Sequence, residues 1–339
     1  MGAKVTAWDV ARKAGVSQSA VSRVFTPGAS ASAATAEKVR RVAAELGYRP
    51  NVLARSLITG RSRIIGLVVA YLDNTFYPEA VERLSNALQA RGYHVLMFMA
   101  SQTAGPVDDV LAEILDYQVD GIVMASVAMS SELAARCRAA GIPVVLFNRS
   151  QDDARLSAVT TDNHAGGHAI ADLFLRTGHT RIAHVAGWEG ASTQRDREAG
   201  FRAGLAAGGA TLAARGTGAF RHDAARAATR TMFADPRHRP DAVFVANDHM
   251  AFAVMDVLRA ELGLRIPQDV AVAGFDDTPP AAWAAYDLTT YRQPADAMVA
   301  ETVTTLMAAI EDGATAPRRV ALQGALVCRG STRPLKEEP

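Results

Sequence analysis

The stretch VTAWDVARKAGVSQSAVSRVF, Val5 to Phe25, reads as two short helices joined by a glycine turn. Thr6 is placed to cap the first helix, and Asp9 three residues on closes a capping box. Val5 and Val10 have the spacing of a hydrophobic staple around that cap. Ala14-Gly15-Val16 makes the turn, where glycine accepts a backbone conformation that other residues resist. Ser17 caps the second helix, again between staple-spaced valines, Val16 and Val21. On that helix Ala20, Val21 and Val24 share one side at helical spacing. Gln18, Ser19, Ser22 and Arg23 share the other. This outward side offers groups suited to base edges and phosphates, and it carries no acid. An ordinary amphipathic hairpin has the same pattern, so the charge of the surrounding sequence has to decide.

Residues 1–63 contain 11 Lys/Arg against 3 acids, a net charge of +8. The remaining 276 residues contain 25 Lys/Arg against 32 acids, a net charge of −7, so the chain's total of +1 hides a basic head on an acidic body. A basic head suits phosphate contacts and counterion release, and an acidic body discourages indiscriminate DNA binding.

A third helix completes the head. Ser32 is its expected cap, Val39, Val42, Ala43 and Leu46 form its inward stripe, and Gly47 ends it. The following segment, Asn51 to Leu57, has helical spacing but is too short to be stable alone. It sets Ala54 and Leu57 on one side with nothing nearby in sequence to bury them. Two readings stand: a plain linker, or a helix that folds only when paired with a twin on DNA.

The body alternates apolar runs with helical stretches, the mark of parallel strands joined by crossover helices. Strands are expected at Ile64–Ala70, His94–Met99, Gly121–Ala125, Pro143–Phe147, Arg181–Ala186, Asp241–Ala246, Val270–Phe275 and Leu288–Arg292. Helices are expected at Pro78–Arg91, Ser130–Ala140, His164–Thr177, Arg195–Ala207, Asp248–Leu262 and Pro294–Ile310. The Ala/Ser stretch Ala29–Ala36 and the Ala/Gly-rich stretch Ala203–Gly218 read as surface loops and helix ends. A body of this length exceeds one compact sheet domain of usual size, so two lobes are expected.

Ligands of open α/β sheets lie beyond the carboxyl ends of the strands. Those ends supply Asp73 to Tyr77, then Ser126, Asn148, Arg149, Trp188, Asn247 with Asp248, and Asp276 with Asp277. Arg195 and Arg197 open a helix that follows a strand. Carboxylates and guanidinium groups each present two hydrogen-bonding positions, the geometry that grips neighbouring hydroxyls or a carboxylate. Phe76 and Phe220 offer aromatic faces for the apolar side of a sugar ring. Arg149 adds a cation suited to an anionic ligand such as a sugar acid. The plainer reading of Asn247 and Asp248 is a helix cap, and Asp277 reads as structural.

Residues 5–66 resemble the head and hinge of the lactose/galactose repressor (LacI/GalR) family of bacterial transcription factors. The resemblance continues through IIGLVV (64–69), YQVDGIVM (117–124), GIPVVLFNR (141–149), VTTDNHAGG (159–167) and GHTRIAHVAG (178–187). RDREAGF (195–201), FVANDHMA (244–251), VAVAGFDD (270–277) and LTTYRQP (288–294) complete it, so it covers nearly the whole chain. The resemblance implies a small all-α helix-turn-helix head and an α/β two-lobed periplasmic-binding-protein-like body, parallel sheets with helices on both faces. It divides the chain into a head at 1–50, a hinge helix and linker at 51–63, and an effector-binding and dimerisation body at 64–339. Lobe one would take about 64–160 and 291–320, and lobe two about 161–290 and 321–339. On DNA it implies Thr6, Ser17, Gln18, Ser19, Ser22 and Arg23 from the head, and Tyr48, Asn51, Ala54 and Leu57 from the segment after it. Leu57 stands where the family's hinge leucine wedges open a base step. For the effector it implies Arg197, Phe220, Asn247 and Asp276, with Phe76, Tyr77, Asn148 and Arg149 ranked behind them.

Other classes fit poorly. A dinucleotide-binding enzyme needs a glycine fingerprint after its first strand, where Tyr71-Leu72-Asp73-Asn74 stands instead. No Walker-type phosphate loop occurs. His164 and His168 lie one helical turn apart, but no third ligand accompanies them, so no metal and no cofactor is expected. The adjacent carboxylates Asp276 and Asp277 cannot easily face one substrate together, so no catalysis is expected. Cys137 and Cys328 are far apart and without a motif, which suits a reducing compartment. No signal peptide opens the sequence and no apolar run is long enough to span a membrane, so a cytoplasmic, bacterial, nucleoid-associated protein is expected. The reading is a ligand-responsive repressor acting as a homodimer on a near-palindromic double-stranded DNA operator. Some family members carry a C-terminal leucine-heptad tail that makes tetramers; after Arg329-Gly330-Ser331-Thr332-Arg333-Pro334 and a few polar residues, no such tail is expected here. A cytoplasmic small-molecule receptor acting by protein contact is the alternative, and an enzyme of sugar or nucleotide metabolism comes third.

Overall fold

The computed structural model describes residues 5–26, 29–49, 61–100, 110, 113–127 and 129–334. The chain divides into two compact units, Met1–Arg63 and Ile64–Pro339.

The first unit holds three helices, α1 (Ala7–Ala14), α2 (Gln18–Val24) and α3 (Ala33–Leu46). Each starts on the hydroxyl that the sequence offers. Thr6 Oγ1 accepts from Asp9 N at 3.4 Å while Thr6 N donates to Asp9 Oδ2 at 3.0 Å, a complete capping box. Ser17 and Ser32 accept from the amides of Ala20 and Thr35, both at 3.2 Å. Gly15 and Gly47 end α1 and α3 in the left-handed conformation, at φ 62° and 65°. Val10, Val21, Val24, Val39 and Val42 are buried together where the three helices meet. The segment 51–57, with Asn51, Ala54 and Leu57, lies outside the described residues.

The second unit runs β1 (Ile64–Val69), α4 (Phe76–Ala90), β2 (His94–Met99), β3 (Gly121–Ala125), α5 (Ser131–Ala139), β4 (Val144–Phe147) and β5 (Ser157–Thr161). It continues with α6 (Asn163–Arg176), β6 (Ile182–Ala186), α7 (Ser192–Ala207), β7 (Ala214–Thr217), α8 (His222–Met232), β8 (Ala242–Val245) and α9 (Asp248–Asp256). After β9 (Ala271–Asp276) and β10 (Thr289–Arg292) come α10 (Ala295–Glu311), β11 (Arg319–Leu322) and β12 (Ala325–Val327).

These strands form two six-stranded sheets among the described residues, in the orders β11-β5-β4-β3-β1-β2 and β12-β10-β9-β8-β6-β7. Every pair is parallel except β10 with β12. Central strands such as GIVMA and AVFV are buried along their whole length, as parallel strands covered on both faces must be. In the first sheet Leu67 packs with Leu84 and Leu306 on one face, while Ile122 packs with Leu133 and Cys137 on the other.

The chain passes between the sheets three times: from β5 to α6, through Gln293 and Pro294 from β10 to α10, and from β11 to β12. At the third passage a Cβ on Gly324 would collide with the Arg292 carbonyl oxygen and the Tyr291 ring. A second close approach joins α6 to α7. A Cβ on Gly200 would strike the His164 carbonyl, and one on Gly167 would strike that of Arg197.

Four strands were not expected from the sequence: β5, β7, β11 and β12. Each is short, β7, β11 and β12 stand at sheet edges or beside β10, and their mixed burial blurs any apolar run. The stretch Ala203–Gly218, expected as loop and helix end, in fact contains β7, paired in parallel with β6. Helix α8 was also not foreseen.

Candidate functional site

In the head, Gln18, Ser19 and Arg23 are exposed on α2 while Val21 and Val24 are buried behind them. Ser17 and Thr6 are exposed caps, and Ser22 is half-buried with its carbonyl accepting from Thr26 Oγ1. Tyr48 is half-buried, its ring 5.9 Å from that of Phe25, so much of it serves the head core. Trp8 belongs to no motif or apolar stripe legible in the sequence. It is 55% exposed on α1, with the Arg12 guanidinium 4.6 Å from its ring centre.

In the second unit both sheets share one strand order, which places a switch point beside β1 and another beside β6. Crevices outside such points are where open α/β sheets bind ligands. Here the strand ends of the two sheets converge on a small inner pocket, about 10 Å³ in volume. Arg149 lines it and also lines an outer chamber of about 180 Å³.

Arg197 is the central group of the inner pocket. It projects from α7, held close to α6 by the glycine contact at Gly167 and Gly200. Its Nε donates to Asn163 Oδ1 at 2.8 Å, its Nη1 to the Ala246 carbonyl at 2.5 Å, and its Nη2 lies 3.4 Å from Asp276 Oδ1. The guanidinium also stacks 3.7 Å from the Phe275 ring centre. Asp276 accepts from Gln293 Nε2 at 2.8 Å and from Asn74 Nδ2 at 3.4 Å, so a residue beyond β1 reaches across to the end of β9.

Burial dominates the electrostatics. It lowers the pKa of Arg197, against the pull of Asp276, and raises that of Asp276, against Arg197, Gln293 and Asn74. Burial thus pushes each partner toward its neutral form while the other's charge opposes it, as for any desolvated ion pair. Behind it, burial and then the charge of Asp276 lift Asp248 to about 8. Asp248 accepts from the Thr278 amide at 2.9 Å and from Thr290 Oγ1 at 2.7 Å.

The remaining candidates divide. Tyr77, Asn148, Arg149, Phe220 and Asn247 all line the inner pocket with Arg197 and Asp276. Asn148 Nδ2 donates to the Tyr77 hydroxyl at 2.9 Å, and its Oδ1 is buried without a partner. Asn247 lines the pocket while its Oδ1 caps α9 by accepting from Met250 N at 3.0 Å, so the cap does not take it out of the lining. Phe76 is not in the lining. It is buried in the first lobe's core, 6.4 Å from the ring of Phe147, because the first turn of α4 turns it inward. Asp277 points away from the pocket, with ion pairs of 2.6 Å to Arg292 and to Arg329. Among the described residues no group of three His, Cys, Asp or Glu side chains is placed to hold a metal.

Tyr71 and Thr193 line the pocket without having been singled out, and Asn74, expected only as part of the strand-end loop 73–77, lines it as well. The loop containing Asn74 follows β1 at the switch point, a signal available in the strand order alone. Four residues around the pocket, Ser126, Asn148, Phe220 and Asp276, have positive φ without being glycine. Such conformations concentrate where a side chain must be aimed at a fixed place.

Residues 6–51 match the family described as bacterial regulatory proteins, lacI family, and residues 171–332 match the periplasmic binding protein-like domain. The chain is 35% identical to the HTH-type transcriptional regulator CelR of Thermobifida fusca, over 95% of this chain and 96% of the relative. It is 31% identical to the ribose operon repressor of Escherichia coli K12, over 95% of this chain and 98% of the relative. Among solved structures, a lac repressor dimer bound to operator and the anti-inducer ONPF aligns with a TM-score of 0.87 at 27% identity, covering 97% of this chain and 99% of that one. A CelR–cellobiose complex aligns with a TM-score of 0.73 at 33% identity, covering 97% and 100%. The relatives are transcription regulators rather than enzymes. No helix among the described residues is long and apolar enough to cross a membrane.

Proposed function

Because this chain belongs to the lacI family of bacterial regulatory proteins, and so is a DNA-binding transcription regulator, we propose that it is a repressor controlled by a small polar effector held between its two lobes. The observation that carries the effector site is the buried cluster of Arg197, Asp276 and Asn74, which joins the strand ends of both lobes. A buried ion pair ringed by Asn148, Asn247 and the Phe220 face has the chemistry of a hydroxyl-gripping site. Cellobiose in the CelR complex and the ribose operon named for the second relative support an effector of the sugar class.

The head at 1–50 would read the operator through Gln18, Ser19, Ser22 and Arg23, and the segment 51–63 would serve as hinge. The body at 64–339 would bind effector and form a homodimer, whose two-fold axis demands a near-palindromic site. The protein would work in the bacterial cytoplasm, on the nucleoid when bound to its operator. An effector acts here only through different affinity for open and closed lobes. The test is a fluorescence-anisotropy titration on operator and random DNA over a range of salt. A steep salt dependence with a preference for one sequence supports the reading, and equal affinity for all sequences rejects it.

A further inference from the structure

Three arginines and two aspartates line the inner pocket and the outer chamber. Arg197 faces Asp276 at 3.4 Å, and Arg195 faces Asp152 at 3.6 Å. Arg149 has no carboxylate partner among the described residues. It is 6% exposed, its Nη1 donates to the Ser126 carbonyl at 2.9 Å, and its Nε is buried without a partner. Its guanidinium lies 5.8 Å and 5.4 Å from the ring centres of Trp188 and Phe220, both supplied by the opposite lobe. Asp248 lines neither hollow and is turned to the Thr278 amide and Thr290 Oγ1, and burial with the charge of Asp276 pushes it toward its neutral form.

A buried charge without a counter-ion is costly unless something else supplies one. We propose that Arg149 receives a carboxylate, so that the effector is a sugar acid and not a neutral sugar. This rests on the cleft reading above and specifies it. Arg149 is the one side chain shared by the two hollows, which puts the acid group where the inner pocket meets the outer chamber, with the rest of the ligand toward Trp188. One uncompensated cation matches one carboxylate. A phosphate dianion would leave a negative charge unmatched in a buried site.

The test uses the full-length protein, thermal melting and calorimetric titration, with matched probes: galacturonate and galactose, glucuronate and glucose, gluconate and sorbitol, and glucose 6-phosphate. An acid should raise the melting temperature by mass action while its neutral partner binds far more weakly. Arg149→Gln should remove an acid preference of about 10–100-fold, the range expected for hydrogen bonds to a charged group. Arg149→Lys should keep most of that preference, and it decides the matter if the Gln variant fails to fold. A neutral sugar binding as tightly as its acid, a sugar phosphate binding more tightly, or no acid binding at all overturns the proposal. A neutral sugar whose binding needs Arg197 would end this inference and leave the cleft reading standing. An acid whose binding ignores both Arg149 and Arg197 would end the cleft reading itself.

Discussion

Gln293 is hydrogen-bonded to Asp276 over 2.8 Å, which ties the second interlobe passage to the acid of the pocket. The same side chain accepts from Thr161 Oγ1 at 2.6 Å, at the end of β5 where the first passage begins. Two of the three passages are thus in contact with Asp276 through one amide. If an effector binds Asp276 as proposed, the change at that carboxylate would reach both passages through this one amide.

Gln293→Leu should therefore act on both stability and response. It removes one buried hydrogen bond from Asp276, which keeps Arg197 and Asn74, and one from Thr161, which keeps Met298 Sδ, at a cost of about 1–3 kcal/mol in all. Urea denaturation reads the first effect. The effector concentration needed for a half-maximal change in operator binding reads the second, and it should shift while DNA affinity without effector stays near wild type. Unchanged response with reduced stability would reduce Gln293 to a structural tie.

The Arg197–Asp276 pair makes a prediction of opposite sign for single and double changes. Arg197→Met alone strands a buried carboxylate and should destabilise the fold by about 3–5 kcal/mol. Arg197→Met with Asp276→Leu removes both charges and should return stability to near the wild-type value or above it. Both variants should lose effector binding. A double variant as unstable as the single one would show that the pair itself holds the lobes together.

Acid should weaken the body through His184 before it weakens the ion pairs. This ring is fully buried, its Nδ1 3.0 Å from the Phe244 carbonyl and its Nε2 3.2 Å from Gln194, and burial lowers it from 6.5 to about 4. The folded chain therefore refuses a proton that the unfolded chain accepts. Stability is full above pH 6.5 and falls between pH 6.5 and 4, by about 3 kcal/mol from this group. Burial lowers His179 and His249 as well, adding to the same slope. Glu198 acts in the next window: burial opposes its charge, but Arg215 and Arg202 hold it down to about 2, so its contribution is lost from pH 4.5 toward 2. Denaturation midpoints measured across pH for wild type and His184→Gln should show the upper slope reduced in the variant. An identical slope in the two proteins would falsify this assignment.

How much of this was legible follows from how local each signal was. Thr6, Ser17 and Ser32 cap their helices within three residues of sequence, and the head could be read from those residues. The strand IIGLVV is apolar enough to announce itself. The strand ARGT in β7 is not, because it stands at an edge with alternate residues exposed. In the pocket, Arg197 and Asp276 lie in recognisable motifs, whereas Asn74 acquires meaning only when β9 comes opposite β1. Phe76 and Tyr77 are neighbours in one loop-to-helix turn, and sequence alone gave no means of assigning one to the core and the other to the lining.

On the head, reading and gripping should separate. Exchanging Gln18 and Ser19 together, both exposed in the first turn of α2, should change the preferred operator while the salt slope stays constant, since no charge is lost. Arg23→Ala should flatten the slope by about one unit if it meets a phosphate, or relax one base position if it meets a guanine. Selection from randomised operators decides between these outcomes. An unchanged preference in the Gln18/Ser19 variant removes α2 from the base-reading role.

The three passages between the sheets also set how this protein can be taken apart. Neither lobe is one uninterrupted stretch of chain, so no single cut and no truncation from either end can release one intact. Removing the last strands, β11 and β12, would strip one strand from each lobe at once. A protease nick at the passage near Gly324 would leave both lobes joined by the other two covalent links, and the nicked chain should still bind effector. Gene fusions or splits meant to deliver a free-standing sensing lobe from this family would need two or three chain segments brought together again.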